Sequence, residues 1–236
     1  MKKIAFVTAL VMAAGSLFSC TTFEEFSSKA ARKKLESIAE NAEDIHETFQ
    51  RGTVEDNVYT SEFAKIKFTA PDDWTFSSDE ELLAAMDIGS DVAGNDDEVM
   101  NKLLSKVMIF DAQAAAPDGS NVTIAFENVS ALHLDPSEYP LEDHLQSIID
   151  DLDINTEEDG IQLKIVPDGN GYKHTSVAGY DFLTMNCKGS GSAYGYDYEF
   201  TQKYYVRYVD DFIMMMTYTM IEDDVSEFEA RFEKID

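Results

Sequence analysis

Cys20 lies in the run Leu17-Phe18-Ser19-Cys20, and its thiol could carry a lipid. It follows a short leader: Met1-Lys2-Lys3, then an apolar run from Ile4 to Ala14, then small residues. A basic start, an apolar stretch and small residues before a cut point describe a secretory signal peptide. The apolar stretch is too short to cross a bilayer, which takes roughly 20 apolar residues. Leu three positions before the Cys and Ser just before it match the bacterial lipobox. The spacing therefore predicts removal of residues 1–19 and lipidation of Cys20. Cys187, the other cysteine, is then left without an intrachain partner. It sits in the apolar run Phe182-Leu183-Thr184-Met185-Asn186-Cys187 and reads as a buried, inert thiol.

Other groups offer chemistry that their surroundings weaken. Asp151-Leu152-Asp153-Ile154-Asn155 has the first three ligand positions of a calcium loop. Thr156 stands where the turn needs Gly, and Gln162 where a bidentate Glu is required, so a solvated acidic loop is the better reading. Met214, Met216 and Met220 could offer thioethers to a soft metal, but adaptable methionines also fill cores. No metal or cofactor is expected. His46, His133, His144 and His174 are scattered, and no GxSxG, HExxH, P-loop or GxGxxG signature occurs. No catalytic residue is assigned.

Two surface features remain. Tyr194, Tyr196 and Tyr198 alternate with Phe200 in "GSAYGYDYEF", which places them along one face of a strand. An exposed row of this kind could stack on a glycan or grip a protein; a core face is the alternative. Lys29, Arg32, Lys33 and Lys34 cluster just after Cys20 in an otherwise acidic chain. They could lie against anionic headgroups beside the anchor.

Composition narrows the partners. The 236 residues carry 18 Lys and Arg against 46 Asp and Glu, a net charge of −28. Without residues 1–19, which hold Lys2 and Lys3, the net becomes −30. A nucleic-acid partner is not expected, because phosphates must be neutralised by Lys and Arg. A hydrophobic fraction of 44% and 11% aromatics argue for a packed core.

The positioning elements follow from periodicity. Thr22 to Glu25 has capping-box spacing, and Leu35, Ile38, Ala42, Ile45 and Phe49 share one face of an N-terminal amphipathic helix that stops at Arg51-Gly52. Short strands follow up to Phe68, and Ser78-Asp79-Glu80-Glu81 opens a helix through Met86. Asn95 caps another helix. A hairpin turns at Pro117-Asp118-Gly119-Ser120, and Pro140 starts a further helix. Strands are expected at 161–166, 172–176, 180–187, 196–208 and 211–220, then a last helix carrying Val225, Phe228, Phe232 and Ile235. "FIMMMTYTM" is apolar on both faces, which predicts a central strand covered on both sides.

These elements give an α+β fold: a largely antiparallel sheet with helices on both faces, an α/β/α sandwich preceded by the N-terminal amphipathic helix. The organisation is a leader at 1–19, a lipidated Cys and helix at 20–52, and one domain at 53–236.

"NVYTSEFAKIKFTAPDDWTF", with Asn57, Tyr59, Phe63, Phe68, Pro71 and Trp74, resembles the opening of the PsbP-like and DcrB-like α/β/α sandwich proteins. The likeness extends over about residues 53–235, and in particular to uncharacterised bacterial lipoproteins. It implies that fold and a binding or assembly role, with no shared catalytic set, so no site residue is carried over. The expected protein is a lipid-anchored module on the extracytoplasmic face of a bacterial membrane, with a protein or glycan partner. A surface hydrolase with an unobvious site and a solute-binding lipoprotein are the alternatives.

Overall fold

The computed structural model describes residues 49–82, 108–129, 139–150, 153–156, 161–169, 171–193, 196–221 and 226–235. The N-terminal helix, the helix capped by Asn95 and the greater part of the helix through Met86 lie outside them.

Two antiparallel sheets form the frame. The smaller has four strands in the order β1 (Thr53–Glu55), β2 (Val58–Ser61), β3 (Ile66–Thr69) and β13 (Phe232–Lys234). The larger joins β4 (Thr75–Phe76), β5 (Met108–Ala115), β6 (Asn121–Asn128), β12 (Phe212–Met220), β11 (Tyr196–Val209), β10 (Tyr180–Ala193), β8 (Ile161–Pro167) and β7 (Asp153–Thr156) in that order. A further strand, β9 (Lys173–Val177), pairs with the start of β10. Helices α1 (Leu141–Asp150) and α2 (Ser226–Glu229) complete the described elements.

The central strand is as its composition predicts. β12 lies between β6 and β11, and Ile213 to Met220 are all buried. What covers it differs from the expectation of helices on both faces. The face bearing Met214, Met216 and Tyr218 packs against Tyr59, Ile66, Phe68 and Phe232 of the small sheet. The opposite face, with Ile213 and Met215, meets α1 through Leu145 and Ile148, whereas on the small-sheet side the helical contact is that of Phe228, from the four-residue α2, with Tyr218. The described molecule is therefore mostly antiparallel β-structure and not an α/β/α sandwich. An apolar strand records that both faces are dry; it does not record whether a helix or a sheet dries them.

Two local expectations change as well. Phe232 was expected on a closing helix, but α2 ends at Glu229, and Phe232–Lys234 pairs with Phe68, Lys67 and Ile66. The rings of Phe68 and Phe232 stack at 4.7 Å, so β3 captures the chain end as an edge strand. The Asp153 segment, expected as a solvated acidic loop, is strand β7, paired to β8. The Ser78 capping box forms reciprocally: Ser78 N–H donates to Glu81 Oε2 at 2.7 Å and Glu81 N–H to Ser78 Oγ at 3.4 Å.

β10 runs past the expected end at Cys187 to Ala193, through two glycines. Glycine normally weakens a strand interior. Here the Phe200 ring of β11 lies over Gly189, where an added Cβ would come within 2.0 Å of Cζ. The aromatic ring thus fills the space that glycine leaves and continues the pairing.

Candidate interaction surface

The chain enters the described domain at a tightly packed joint. Phe49 is buried among Phe63, Phe126 and Phe212, with ring centroids 5.0, 4.7 and 5.6 Å away. The Gly52 N–H donates to both carboxylate oxygens of Asp111 at 3.0 Å. A Cβ at Gly52 would lie 2.3 Å from the Tyr59 ring, so only glycine fits there. The Tyr59 hydroxyl donates to Asp111 Oδ2 at 2.5 Å. Arg51 spans Asp79 Oδ1 at 2.9 Å, the Phe110 carbonyl at 2.9 Å and Asp111 Oδ1 at 3.5 Å. Asp111 sits where the β5–β6 register shifts, between Phe110 and Ala112. Such irregularities re-aim a side chain. Burial pushes the Asp111 carboxyl above its ordinary value, outweighing the bonds from Tyr59, Gly52 and Arg51 that favour its charge. With these donors around it, Asp111 serves as a structural clasp on residues 51–52.

A second buried acid faces the helix side. Glu127 of β6 lies 3.7 Å from His144 Nδ1, both nearly sealed, with the Tyr139 ring edge-on to the imidazole at 6.2 Å. Burial pushes the His144 pKa down, and the Glu127 charge opposes that. Farther along the same face lies a polar patch. Gln202 Nε2–H donates to Thr219 Oγ1 at 2.9 Å, Tyr204 O–H to Gln202 Oε1 at 2.5 Å, and Ser77 O–H to Gln113 Oε1 at 2.7 Å. Gln113, Gln202, Tyr204 and Thr219 are buried, so these hydrogen bonds specify the packing of a sealed layer.

The open surface lies elsewhere. Along β11 the small-sheet side is covered as far as Lys203, whose ammonium meets Glu229 Oε1 of α2 at 2.6 Å. Beyond it, Thr201, Glu199 and Asp197 are exposed. Their neighbours on β10 and β8 are exposed too. Thr201 pairs with Lys188 and Lys188 with Val166; Glu199 pairs with Ser190 and Ser190 with Lys164. Val166, at 43% exposure, is one of two large exposed hydrophobics among the described residues. The back of the same strands is dry: Ile165, Cys187, Gly189 and Phe200 are buried. Three strands thus present one exposed, polar, mixed-charge face. It lies at the far end of β11 from the joint, since Phe49 packs on Phe212, the register partner of Val209. Ten residues separate Glu199 from Val209, or about 33 Å of strand.

Of the expected site residues, Cys20, Lys29, Arg32, Lys33, Lys34 and Tyr194 lie outside the described residues. Tyr196 and Tyr198 lie in β11 opposite Ala193 and Gly191. By strand alternation their positions share the face of buried Phe200, while the exposed face of that segment carries Asp197 and Glu199. Cys187 is a free, buried thiol whose pKa burial, helped by Asp168, pushes up to about 12. Met214, Met216 and Met220 are core residues between the sheets. Among the described residues, no three His, Cys, Asp or Glu side chains come together as a metal site. None of their helices is long and apolar enough to cross a membrane.

Sequence reading passed over Asp111, Glu127 and the exposed face. The two acids had a signal: each is a lone carboxylate within an apolar strand, "MIFDAQA" and "TIAFEN". The face had none, because its alternation matches any half-covered strand.

Comparison with known proteins adds little. No family model and no curated protein matches the chain. Among the similar solved structures are two with low-level likeness. The solution structure of cyanobacterial PsbP (CyanoP) from Synechocystis sp. PCC 6803 shares 9% identity over 79% of this chain and 98% of its own, with a TM-score of 0.39. LpqN of Mycobacterium tuberculosis, described as involved in cell envelope biogenesis, shares 14% over 72% and 83%, with a TM-score of 0.35. The first is a PsbP protein, the kind that residues 57–76 resemble, but likenesses this distant assign neither a fold family nor an activity.

Proposed function

We propose that this protein is a lipid-anchored, extracytoplasmic binding or assembly module that meets a protein partner on the exposed face of β8, β10 and β11. The observation that carries the reading is the placement of that face. It is the uncovered end of a sheet whose other end receives the chain from the anchor side through Phe49. The anchor itself rests on the leader and on Cys20. A protein partner is favoured over a glycan because the exposed residues are Lys164, Val166, Lys188, Ser190, Asp197, Glu199 and Thr201. They offer no ring for a sugar to stack on, and their mixed polar character is that of ordinary non-obligate interfaces.

The test is photo-crosslinking in intact cells from a reactive residue placed at Ser190, compared with one at Asp72, in the turn before β4 at the opposite edge of the large sheet. A discrete adduct from position 190, lost in Lys164→Glu/Lys188→Glu, supports the reading. Identical adducts from both positions, or adducts insensitive to the charge reversals, overturn it. Cys20→Ala should abolish metabolic labelling by a palmitate analogue; retained labelling removes the anchor from the proposal.

A further inference from the structure

We propose that Arg207, Tyr180 and Lys234 form a receptor for a single oxyanion group, a carboxylate or a phosphate carried by a ligand. The site lies at the junction of the two sheets, apart from the exposed face described above.

Arg207 projects from β11 towards the small sheet and is held from several directions. Its guanidinium carbon lies 4.3 Å from the Tyr180 ring centroid and 5.4 Å from that of Phe182. Its Nη2 donates to the Ala64 carbonyl at 2.5 Å. Stacking and one hydrogen bond fix the plane of the fork, which is the preorganisation that recognition of an oxyanion requires. A guanidinium has five N–H donors. Among the described residues only the Ala64 carbonyl accepts from them, and the buried Nε has no partner there.

The charge balance is the second observation. Arg51, Lys65, Lys67, Lys188 and Lys203 each lie within ion-pair distance of a carboxylate. Arg207 has no such partner among the described residues, although the chain holds 46 acids against 18 bases. Lys164, Lys173 and Arg231 lack one there too, but of these four only Arg207 also has a buried N–H without an acceptor. Lys234 has none there either, and its ammonium lies 5.1 Å from the same Tyr180 ring. Asp181, next to Tyr180 in sequence, points to the other face of β10, where it meets His174 at 2.8 Å, and Glu233, next to Lys234, is paired with Lys67 at 2.9 Å. The half-exposed Tyr180 makes no side-chain hydrogen bond to a described residue, so its hydroxyl is a further donor.

A brace between the sheets would explain Arg207 alone. It would leave Lys234 unaccounted for, a second cation without a carboxylate partner at the same ring, where a bound anion would offset the repulsion between the two. A guanidinium and an ammonium held at one phenol ring suit one oxyanion. The acidic surroundings restrict the ligand to one that presents a single such group and is otherwise uncharged or basic.

The test is thermal unfolding of the full chain in detergent with sodium acetate or inorganic phosphate, each against sodium chloride at equal ionic strength. A ligand that binds only the folded state raises the midpoint. The expected result is a saturable rise with at least one anion. Lys234→Gln, at an exposed position, should leave the midpoint in chloride unchanged and weaken half-saturation about fivefold, the scale of one exposed charge. Arg207→Lys, which keeps the charge and loses the fork, should weaken it further. A response to acetate alone identifies a carboxylate ligand, and to phosphate alone a phosphate ester; either sustains the proposal. No rise with either anion, or a rise unchanged in Lys234→Gln, overturns it and leaves Arg207 as a brace.

Discussion

Two halves of one hairpin live in different environments. On β10, Phe182 to Met185 are buried at four consecutive positions, whereas Asn186 to Ser190 alternate between exposed and buried. On β11 the change comes at Lys203: Tyr204 to Val206 are buried without a break, while Asp197, Glu199 and Thr201 are exposed around a buried Phe200. The pairing continues across the change, since Leu183↔Val206 and Ser190↔Glu199 belong to one uninterrupted register. Backbone hydrogen bonding therefore does not distinguish the halves. The difference is the cover. The small sheet and α2 reach only as far as Lys203, while the helix side stays dry from Leu183 to Gly189 on β10 and from Phe200 to Val206 on β11. A sheet can be rigid at both ends and offer a surface at only one.

The comparison can be broken most forcefully in the sealed half. Phe126→Ala removes a ring packed on both Phe49 and Phe63 and should cost about 3–5 kcal/mol in chemical denaturation. A loss below 1 kcal/mol would mean that the joint is not packed as described. Gly189→Ala tests the dry back of the open half. Its Cβ would meet the Phe200 ring at 2.0 Å, and overpacking of this kind costs about 1–3 kcal/mol. Adding Phe200→Leu should recover part of that loss; no recovery would show that the ring does not cover the glycine.

A pH titration separates the helix side from the small-sheet side. His144 has a folded pKa below its ordinary 6.5 because it is buried. Its neutral form is favoured by folding, so its contribution is intact above pH 6.5 and is lost as the pH falls through that value and below. Asp111 works in the opposite sense. Its folded pKa is raised above 3.8, so the folded state takes up its proton first and gains relative stability as the pH falls. His144→Phe should flatten the decline between pH 6.5 and 5 measured by thermal unfolding, while Asp111→Asn should not. A decline unchanged in His144→Phe would place its origin elsewhere. The smallest effect is expected on the open face: Glu199→Ala and Lys188→Ala should each stay within about 0.5 kcal/mol of the parent chain. A larger loss would show that this face is covered.

Much of this arrangement was legible from the chain alone. The two-sided apolar run Phe212–Met220 announced a central strand, and β12 is one. Pro117 to Ser120 announced the turn between β5 and β6, and Ser78 with Glu81 a helix start. These signals are local: periodicity, turn chemistry and capping act over a few residues and need no distant partner. Tertiary structure decided the rest. Whether a sheet or a helix covers Met214 and Met216 depends on Ile66, Phe68 and Phe232, about 150 residues away or beyond a later helix. Phe232 became a strand only because β3 offered an unpaired edge. Asp111 and Gly52 meet across 59 residues, and Arg207 and Ala64 across 143. The open face is decided in the same way, because alternation states which side chains share a face and only the reach of the opposing layer states which face stays wet.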